Sequence, residues 1–355
     1  MDLATMEPII TVLQQHSRFI TVAHPRMDAD AMGSILALTE SLSRVGKTVV
    51  PVSQGPFPDV LDSMPGAARI LMWHNEFSWP HTWLPEVVIV CDIGGQSRVQ
   101  PFLDHLQRLY PPPPENDEPS PPRHRPIVIN IDHHESNEWF GDYAWVESRA
   151  CATGEMVFAL LRKAGMPIDS DVAGLLYTAI LTDTGGFAYS NTSAPVLRVA
   201  ADLIDAGANP AAIHRKHFRT KSRSQFSLEA LVLNRMQTDE SGVVVWSWIG
   251  LDDLSRLGVT RNQTLDLVNV LTPLDTMRAA VFFLEMDGPD QRVLTKVSFR
   301  GEGHVNLAEH AKRLYGGGGH PRASGATLAG PAASHIERVI RDLLPVVQAH
   351  PEARF

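Results

Sequence analysis

Thiols are nearly missing from this chain: of its 355 residues only Cys91 and Cys151 are cysteine. That excludes a disulfide framework and makes a thiolate zinc site a poor reading, and it fits a reducing cytoplasm. Cys91, closing an apolar run, reads as a small packed strand residue rather than a reactive thiol. Long apolar runs are missing too. No stretch nears the roughly 18 residues of a bilayer span, and Met1 to Ile10, with Asp2, Glu7 and Pro8, lacks the basic start and apolar centre of a secretory leader. The expectation is a soluble protein with no membrane partner. Positive charge is also short, 31 Lys and Arg against 40 Asp and Glu, a formal net charge of −9. This argues against binding long duplex nucleic acid, whose affinity comes largely from neutralising phosphates. A small anion held by a few local cations remains compatible.

What is there is a hydrophobic fraction of 44%, enough to bury real cores, in a chain whose length suits two domains. Three short β-branched runs stand out. Phe19 to Ala23 precedes His24, Asp28 and Asp30; Val87 to Cys91 precedes Asp92; Ile127 to Ile131 precedes Asp132, His133 and His134. Such runs read as strands of a parallel sheet buried on both faces, and in open α/β sheets ligands collect beyond the carboxyl ends of the strands. A mostly apolar helix over Val172 to Leu181 leads to Asp183-Thr184-Gly185-Gly186, where the glycines let the chain turn away. Five carboxylates and three imidazoles are thereby expected in one crevice.

Oxygen donors with imidazole suit hard divalent ions, Mn²⁺ first and Mg²⁺ second. Ionised Asp28, Asp30, Asp92 and Asp183 would balance two divalent cations. A pair of ions about 3.5 to 4 Å apart can share a carboxylate and present a hydroxide to phosphorus. The chemistry expected is phosphoester hydrolysis. Taken singly, each aspartate reads as a turn former or helix cap; the ordered set outweighs that.

His24-x-x-x-Asp28-x-Asp30, Asp92, Asp132-His133-His134 and Asp183, in this order, resemble the pattern of the DHH phosphoesterases. Gly316 to Gly319 followed by His320-Pro321-Arg322-Ala323-Ser324-Gly325 resembles the substrate-binding loop of the DHH-associated C-terminal domain. Met27-Asp28-Ala29-Asp30 stands where the family usually shows Pro-Asp-Gly-Asp, and both carboxylates remain. The resemblance covers roughly residues 17 to 330. It implies an α/β fold, with a parallel-sheet catalytic domain over 1–195, a helical connector over 196–236, and a smaller α/β substrate-binding domain over 237–355, with a cleft between the two domains. Length and layout look most like the NrnA-type nanoRNases, while a RecJ-type exonuclease would carry further modules for which no room follows the glycine loop.

The resemblance also implies roles. His24, Asp28 and Asp92 would bind one metal, and Asp30, Asp92, His133 and Asp183 the other, with Asp92 as bridge. His134 would face the scissile phosphate, with Asp132 orienting a neighbouring histidine, so that Asp92, Asp132 and His134 form the catalytic group. Gly317, Gly318 and Gly319 would bring N–H groups close to an anion, joined by His320 and Arg322. Ser298 and Arg300 would grip the substrate. That substrate is expected to be a short oligoribonucleotide or a dinucleotide such as pApA, with cyclic dinucleotides possible. The alternatives are a phosphatase for 3′-phosphoadenosine 5′-phosphate, an inorganic pyrophosphatase, and a catalytically silent nucleotide sensor. A homodimer is plausible on the same ground.

Elsewhere, Ala29 to Val45 has helical spacing with Gly46 as its stop, and Pro111 to Pro126 reads as an irregular insertion. Helical patterns cover Thr192 to Gly207 and Pro210 to Met236. The latter holds the basic run Arg215, Lys216, His217, Arg219, Lys221 and Arg223, which reads first as a solvated helix face and second as a complement to phosphate. Val243 to Ile249, Ala279 to Glu285 and Val293 to Phe299 read as strands.

Overall fold

The three β-branched runs form adjacent parallel strands. A computed structural model describes residues 3–74, 83–110, 125–259, 261–264, 267–289, 292–302 and 305–349. Residues 111–124 of the expected insertion lie outside the described residues. The chain divides into two compact units, Met1–Thr220 and Lys221–Phe355, the boundary falling within the stretch 196–236.

The first unit runs α1 (Leu3–Gln15), β1 (Arg18–Val22), α2 (Ala29–Arg44), β2 (Thr48–Ser53), β3 (Leu71–Met72), β4 (Val87–Cys91), α3 (Gln100–Gln107), β5 (Ile127–Asp132) and β6 (Tyr143–Val146). It continues with α4 (Thr153–Lys163), α5 (Ser170–Asp183), α6 (Ala194–Asp205), α7 (Pro210–His214) and a π-helix, Arg215–Arg219. The six strands form one parallel sheet in the order β3-β2-β1-β4-β5-β6. Alternate side chains explain why the runs are apolar without interruption. Phe19, Val87, Ile89, Cys91, Ile127, Ile129 and Ile131 face one core with α1, α2, α4, α5 and α6. Ile20, Val22, Val88, Val90 and Val128 face the other, with Phe102 and Leu106 of α3. After β1 the chain proceeds outward to β2 and β3, then returns to place β4 on β1's other side. The strand order therefore reverses between β1 and β4, which opens a crevice at their carboxyl ends.

Helices α2, α4 and α5 cross where only small residues fit. A Cβ on Gly33 of α2 would lie 2.7 Å from the Leu175 carbonyl oxygen and 3.1 Å from the Ala179 Cβ. One on Gly154 of α4 would lie 2.5 Å from the same Ala179 Cβ. The close approach brings the amino ends of α2 and α4 together with the carboxyl end of α5.

The second unit contains α8 (Arg223–Asn234), β7 (Gln237–Thr238), β8 (Val244–Ile249), α9 (Leu251–Leu257), β9 (Ala279–Asp287), β10 (Val293–Gly301), α10 (Leu307–Tyr315), β11 (Gly318–His320), β12 (Ala323–Ala329) and α11 (Ile336–Gln348). Its sheet has the order β11-β12-β10-β9-β8-β7 and mixes one parallel pair, β8 with β9, with antiparallel pairs. Leu228 and Val232 of α8 pack on one face of this sheet, and Val339 and Leu343 of α11 on the other. Among the described residues no helix is long and apolar enough to cross a membrane.

Candidate metal centre

The amino-acid order at the crevice dictates who meets whom. Asp28 is the N-cap of α2, accepting from the Ala31 N–H at 3.0 Å, and Asp30 lies in the first turn. His24 and Asp28 therefore follow β1 directly, while Asp92 follows β4 across the switch point. Asp92 has φ +60°, a left-handed conformation that is uncommon without glycine and concentrates at functional sites. His133 and His134 follow β5. Asp183, expected just past α5, occupies its last helical turn.

These groups converge. His24 Nε2 lies 3.9 Å from Asp28 Oδ2 and 3.5 Å from Asp92 Oδ2. His133 Nε2 lies 3.8 Å from Asp30 Oδ2, 3.6 Å from Asp92 Oδ1 and 3.8 Å from Asp183 Oδ2. Asp92 thus turns one oxygen to each set. Separations of this size are long for hydrogen bonds. They suit donors that share an ion, since two atoms each about 2.1 Å from a cation stand roughly 3.0 to 3.5 Å apart at angles between octahedral and tetrahedral. Ligand atoms of three groups, His24 with Asp28 and Asp92, Asp30 with His133 and Asp183, and Asp92 with His133 and His134, each lie within 4.8 Å of one another.

Electrostatics point the same way. Burial pushes the Asp30 carboxyl well above its ordinary value, and Asp92, Asp183 and Asp28 push it further. Asp183 is raised to about 6, first by burial, with His133 opposing and Asp92 and Asp28 adding. Burial also acts upward on Asp92, but the imidazoles of His24, His133 and His134 hold it below the usual range. Like charges brought together in a buried place resist joint ionisation. Divalent cations among them would relieve that repulsion, so the donor set fits a metal pair.

Supporting contacts fix the donors. Asp30 Oδ2 accepts from the Thr153 N–H at 2.7 Å and Oδ1 from the Gly154 N–H at 2.8 Å. A carboxylate at the amino end of α4 is where the helix dipole favours it. The Thr153 hydroxyl donates to Asp92 Oδ1 at 3.1 Å. Fully buried Asp132 takes His134 Nδ1 at 2.7 Å and Asn137 Nδ2 at 2.6 Å. The Asp132 hydrogen bond raises His134 to about 9. His133 Nδ1 lies 3.3 Å from the Ala150 carbonyl. Thr153, Gly154 and Asn137 were not expected from the sequence. Thr153-Gly154-Glu155, an acidic residue in the first turn of a helix, was the available signal for α4.

The remaining expected site residues lie in the second unit. Ser298 pairs in register with Gly325 and Arg300 with Ala323, so both sit on the strand beside the glycine hairpin. Arg300 Nε donates to Asn269 Oδ1 at 2.9 Å. The hairpin needs glycine for close packing: a Cβ on Gly317 would lie 2.1 Å from the Gly325 carbonyl oxygen, and one on Gly319, at φ +136°, 2.6 Å from that of Ala323. The Gly317 N–H donates to the Ala311 carbonyl at 3.1 Å, so it serves the end of α10. Gly318 lies on β11, and Arg322 is exposed at the hairpin. The side chain of His320 lies outside the described residues.

Known proteins carry the same plan. The DHH family N-terminal domain matches residues 18–180 and the DHHA1 domain residues 251–348. The bifunctional oligoribonuclease and PAP phosphatase NrnA of Thermus thermophilus is 31% identical over 310 residues, covering 86% of this chain and 83% of that protein. The protein of the same description from Bacillus subtilis is 27% identical over 347 residues, 96% of this chain and 98% of its own length. The crystal structure of an exopolyphosphatase-related protein from Bacteroides fragilis superposes with a TM-score of 0.86 at 23% identity, over 99% of this chain and 98% of that one, and so shares the fold. This chain belongs to the DHH family of phosphoesterases, with a DHHA1 domain following the DHH domain.

Proposed function

We propose that the protein is a divalent-metal phosphodiesterase that hydrolyses short oligoribonucleotides and linear dinucleotides such as pApA to mononucleotides. The observation that carries this reading is the pair of donor sets that meet at Asp92. The naming of two relatives as bifunctional oligoribonucleases and PAP phosphatases supports it. Their names also favour a second activity of the same site, removal of the 3′-phosphate from 3′-phosphoadenosine 5′-phosphate. Cyclic dinucleotides are a further candidate substrate. A full donor set of this kind exceeds what a nucleotide sensor requires.

His24, Asp28 and Asp92 would hold one ion, and Asp30, Asp92, His133 and Asp183 the other, with Mn²⁺ suited to mixed carboxylate and imidazole donors. Bound ions supply a lowered pKa for water and neutralise phosphoryl charge. The chain's own groups supply orientation. Asp132, held by Asn137, accepts a hydrogen bond from the Nδ1–H of His134, which keeps the ring protonated and would present its Nε2–H to a phosphoryl oxygen. Thr153 and Gly154 keep Asp30 from rotating, and the Thr153 hydroxyl does the same for Asp92. Ser298, Arg300, Gly318, Gly319, His320 and Arg322 are assigned to the nucleoside and terminal phosphate, while Gly317, whose N–H is taken by the Ala311 carbonyl, would serve the close packing of the hairpin. In this reading residues 1–195 form the catalytic domain, 196–236 the connector and 237–355 the substrate-binding domain.

The test is product release from pApA, cyclic di-AMP, 3′-phosphoadenosine 5′-phosphate and a longer single strand, each with Mn²⁺ and with chelator. Metal-dependent AMP release fastest from pApA supports the proposal. Phosphate release from the bisphosphate alone would replace it with the phosphatase reading.

A further inference from the structure

The basic run Arg215 to Arg223 does not behave as one solvated face. Lys221 pairs with Glu229 at 2.8 Å, and Asp62 is the acidic neighbour of Lys216. Arg215 and Arg219 differ: neither guanidinium has a carboxylate within hydrogen-bonding or ion-pair distance among the described residues, in a chain of net charge −9. Both line a pocket of ≈ 470 Å³ that opens broadly to solvent within the first unit, together with His214, Tyr177, Leu181 and Phe187.

Three features mark this cavity as built rather than incidental. Its basic wall is a π-helix, Arg215–Arg219, an uncommon turn that is frequent at functional sites. Hydrogen bonds there run from i to i+5, so residues four apart such as Arg215 and Arg219 project toward one side. Its lining also contains Phe187 at φ +66°, a conformation unfavourable for an aromatic residue and retained where the surroundings impose it. Lastly, the wall is continuous with the metal centre along the chain: Leu181 and Gly186 line the cavity, and Asp183 lies between them.

The chemistry of the lining selects the ligand. Guanidinium groups match phosphate with paired donors; Tyr177 is buried and braces Phe187 edge-on, and the partly exposed rings of Phe187 and His214 are left to meet a base. The volume lies in the range of small-ligand sites. We infer that the cavity walled by Tyr177, Phe187, His214, Arg215 and Arg219 binds a further nucleotide of a short oligoribonucleotide, beyond the linkage being cut. This rests on the phosphodiesterase reading above and deepens it: the cavity would set how strongly the enzyme prefers three or more nucleotides over two.

The experiment compares wild type with the double variants Arg215→Ala/Arg219→Ala and Arg215→Lys/Arg219→Lys. One readout is kcat/KM on pentaadenylate divided by kcat/KM on pApA. The other is the salt dependence of binding to a phosphorothioate pentaadenylate. The alanine pair should lower the ratio by about tenfold or more, and should reduce the slope of log K against log salt by about 1.4, as expected for two lost single-strand phosphate contacts. The lysine pair should keep most of the slope. An unchanged ratio together with an unchanged slope in the alanine pair overturns the inference. Wild-type protein inactive on every substrate overturns the phosphodiesterase reading instead, and the binding slope still reports on the cavity.

Discussion

Asp92→Ala should uncouple the protein from metal, and the effect is readable without turnover. Asp92 contributes one oxygen toward His24 and the other toward His133, so both proposed ion sites lose a donor. The first unit spans 220 residues, Met1–Thr220, with an unfolding entropy near 0.46 kcal/mol/K from about 2.1 cal/mol/K per residue. An ion at roughly 100 times its dissociation constant stabilises the folded state by about 2.7 kcal/mol, and two such ions by about 5.4. The wild-type melting temperature should then rise by about 12 °C on adding Mn²⁺ to chelator-treated protein. Losing even the roughly 100-fold affinity that outer-shell partners can supply leaves each variant site near half occupancy, worth about 0.4 kcal/mol. The shift should fall to about 2 °C. Calorimetry at one fixed Mn²⁺ concentration, with and without chelator, makes the measurement. A variant whose shift matches wild type would refute the shared-ligand geometry, and so would a wild type that does not respond to metal.

Asp132→Asn should lower the pH at which activity fades on the alkaline side. His134 is raised to about 9 by its Asp132 hydrogen bond, so the protonated ring, and the stability it contributes, is complete below the ordinary value of 6.5 and lost as pH rises through about 9; a pH–rate profile of the variant should fall off nearer 6.5. Gly154→Ala should cost about 1 to 3 kcal/mol of stability by overpacking, because its Cβ would sit 2.5 Å from that of Ala179, and should weaken metal binding by shifting the N–H that holds Asp30; urea unfolding and a Mn²⁺ titration check both. His217→Gln should flatten acid sensitivity. Burial, with Lys216, depresses His217 to about 4, so the unfolded chain takes up a proton near pH 6.5 that the folded one refuses until about 4, and wild-type stability declines over that window while the variant's should not.

The strands carrying the site were legible because uninterrupted apolar runs as short as Val87 to Cys91 have few alternatives in an α/β chain. The helix carrying Asp30 was legible from its spacing, and α5 from its apolar run and the glycines after it, although Asp183 falls inside its last turn rather than just past it. The switch point was not, since strand order depends on nonlocal pairing that no local pattern encodes: nothing in Thr48 to Ser53 says that β2 lies on the side of β1 opposite β4. Edge strands β3 and β6 are short, two and four residues, and their side chains follow no alternation. Helix α4 escaped notice for another reason. Its N-cap is Ala152 with no side-chain cap, and the usual Ser, Thr, Asp or Asn start signal stands one residue late, at Thr153, where it is spent on Asp92 instead.

That displacement shows how the fold reconciles crowding carboxylates with stability. Asp30 and Asp92 are 2% and 3% exposed, and each is met by a donor from the same residue, the Thr153 N–H for one and its hydroxyl for the other. Hydrogen bonds of this kind favour the ionised form and fix the carboxylate plane, yet leave lone pairs directed into the crevice. The small-residue crossing at Gly33, Gly154 and Ala179 is what lets α4 come near enough to donate them. A lysine or arginine in place of Thr153 would neutralise the same charge more fully, but it would occupy the position that a cation needs. Backbone and hydroxyl donors orient the aspartates, while burial still opposes the charge on Asp30, so that bound cations would supply the countercharge and would link occupancy of the site to completion of the fold.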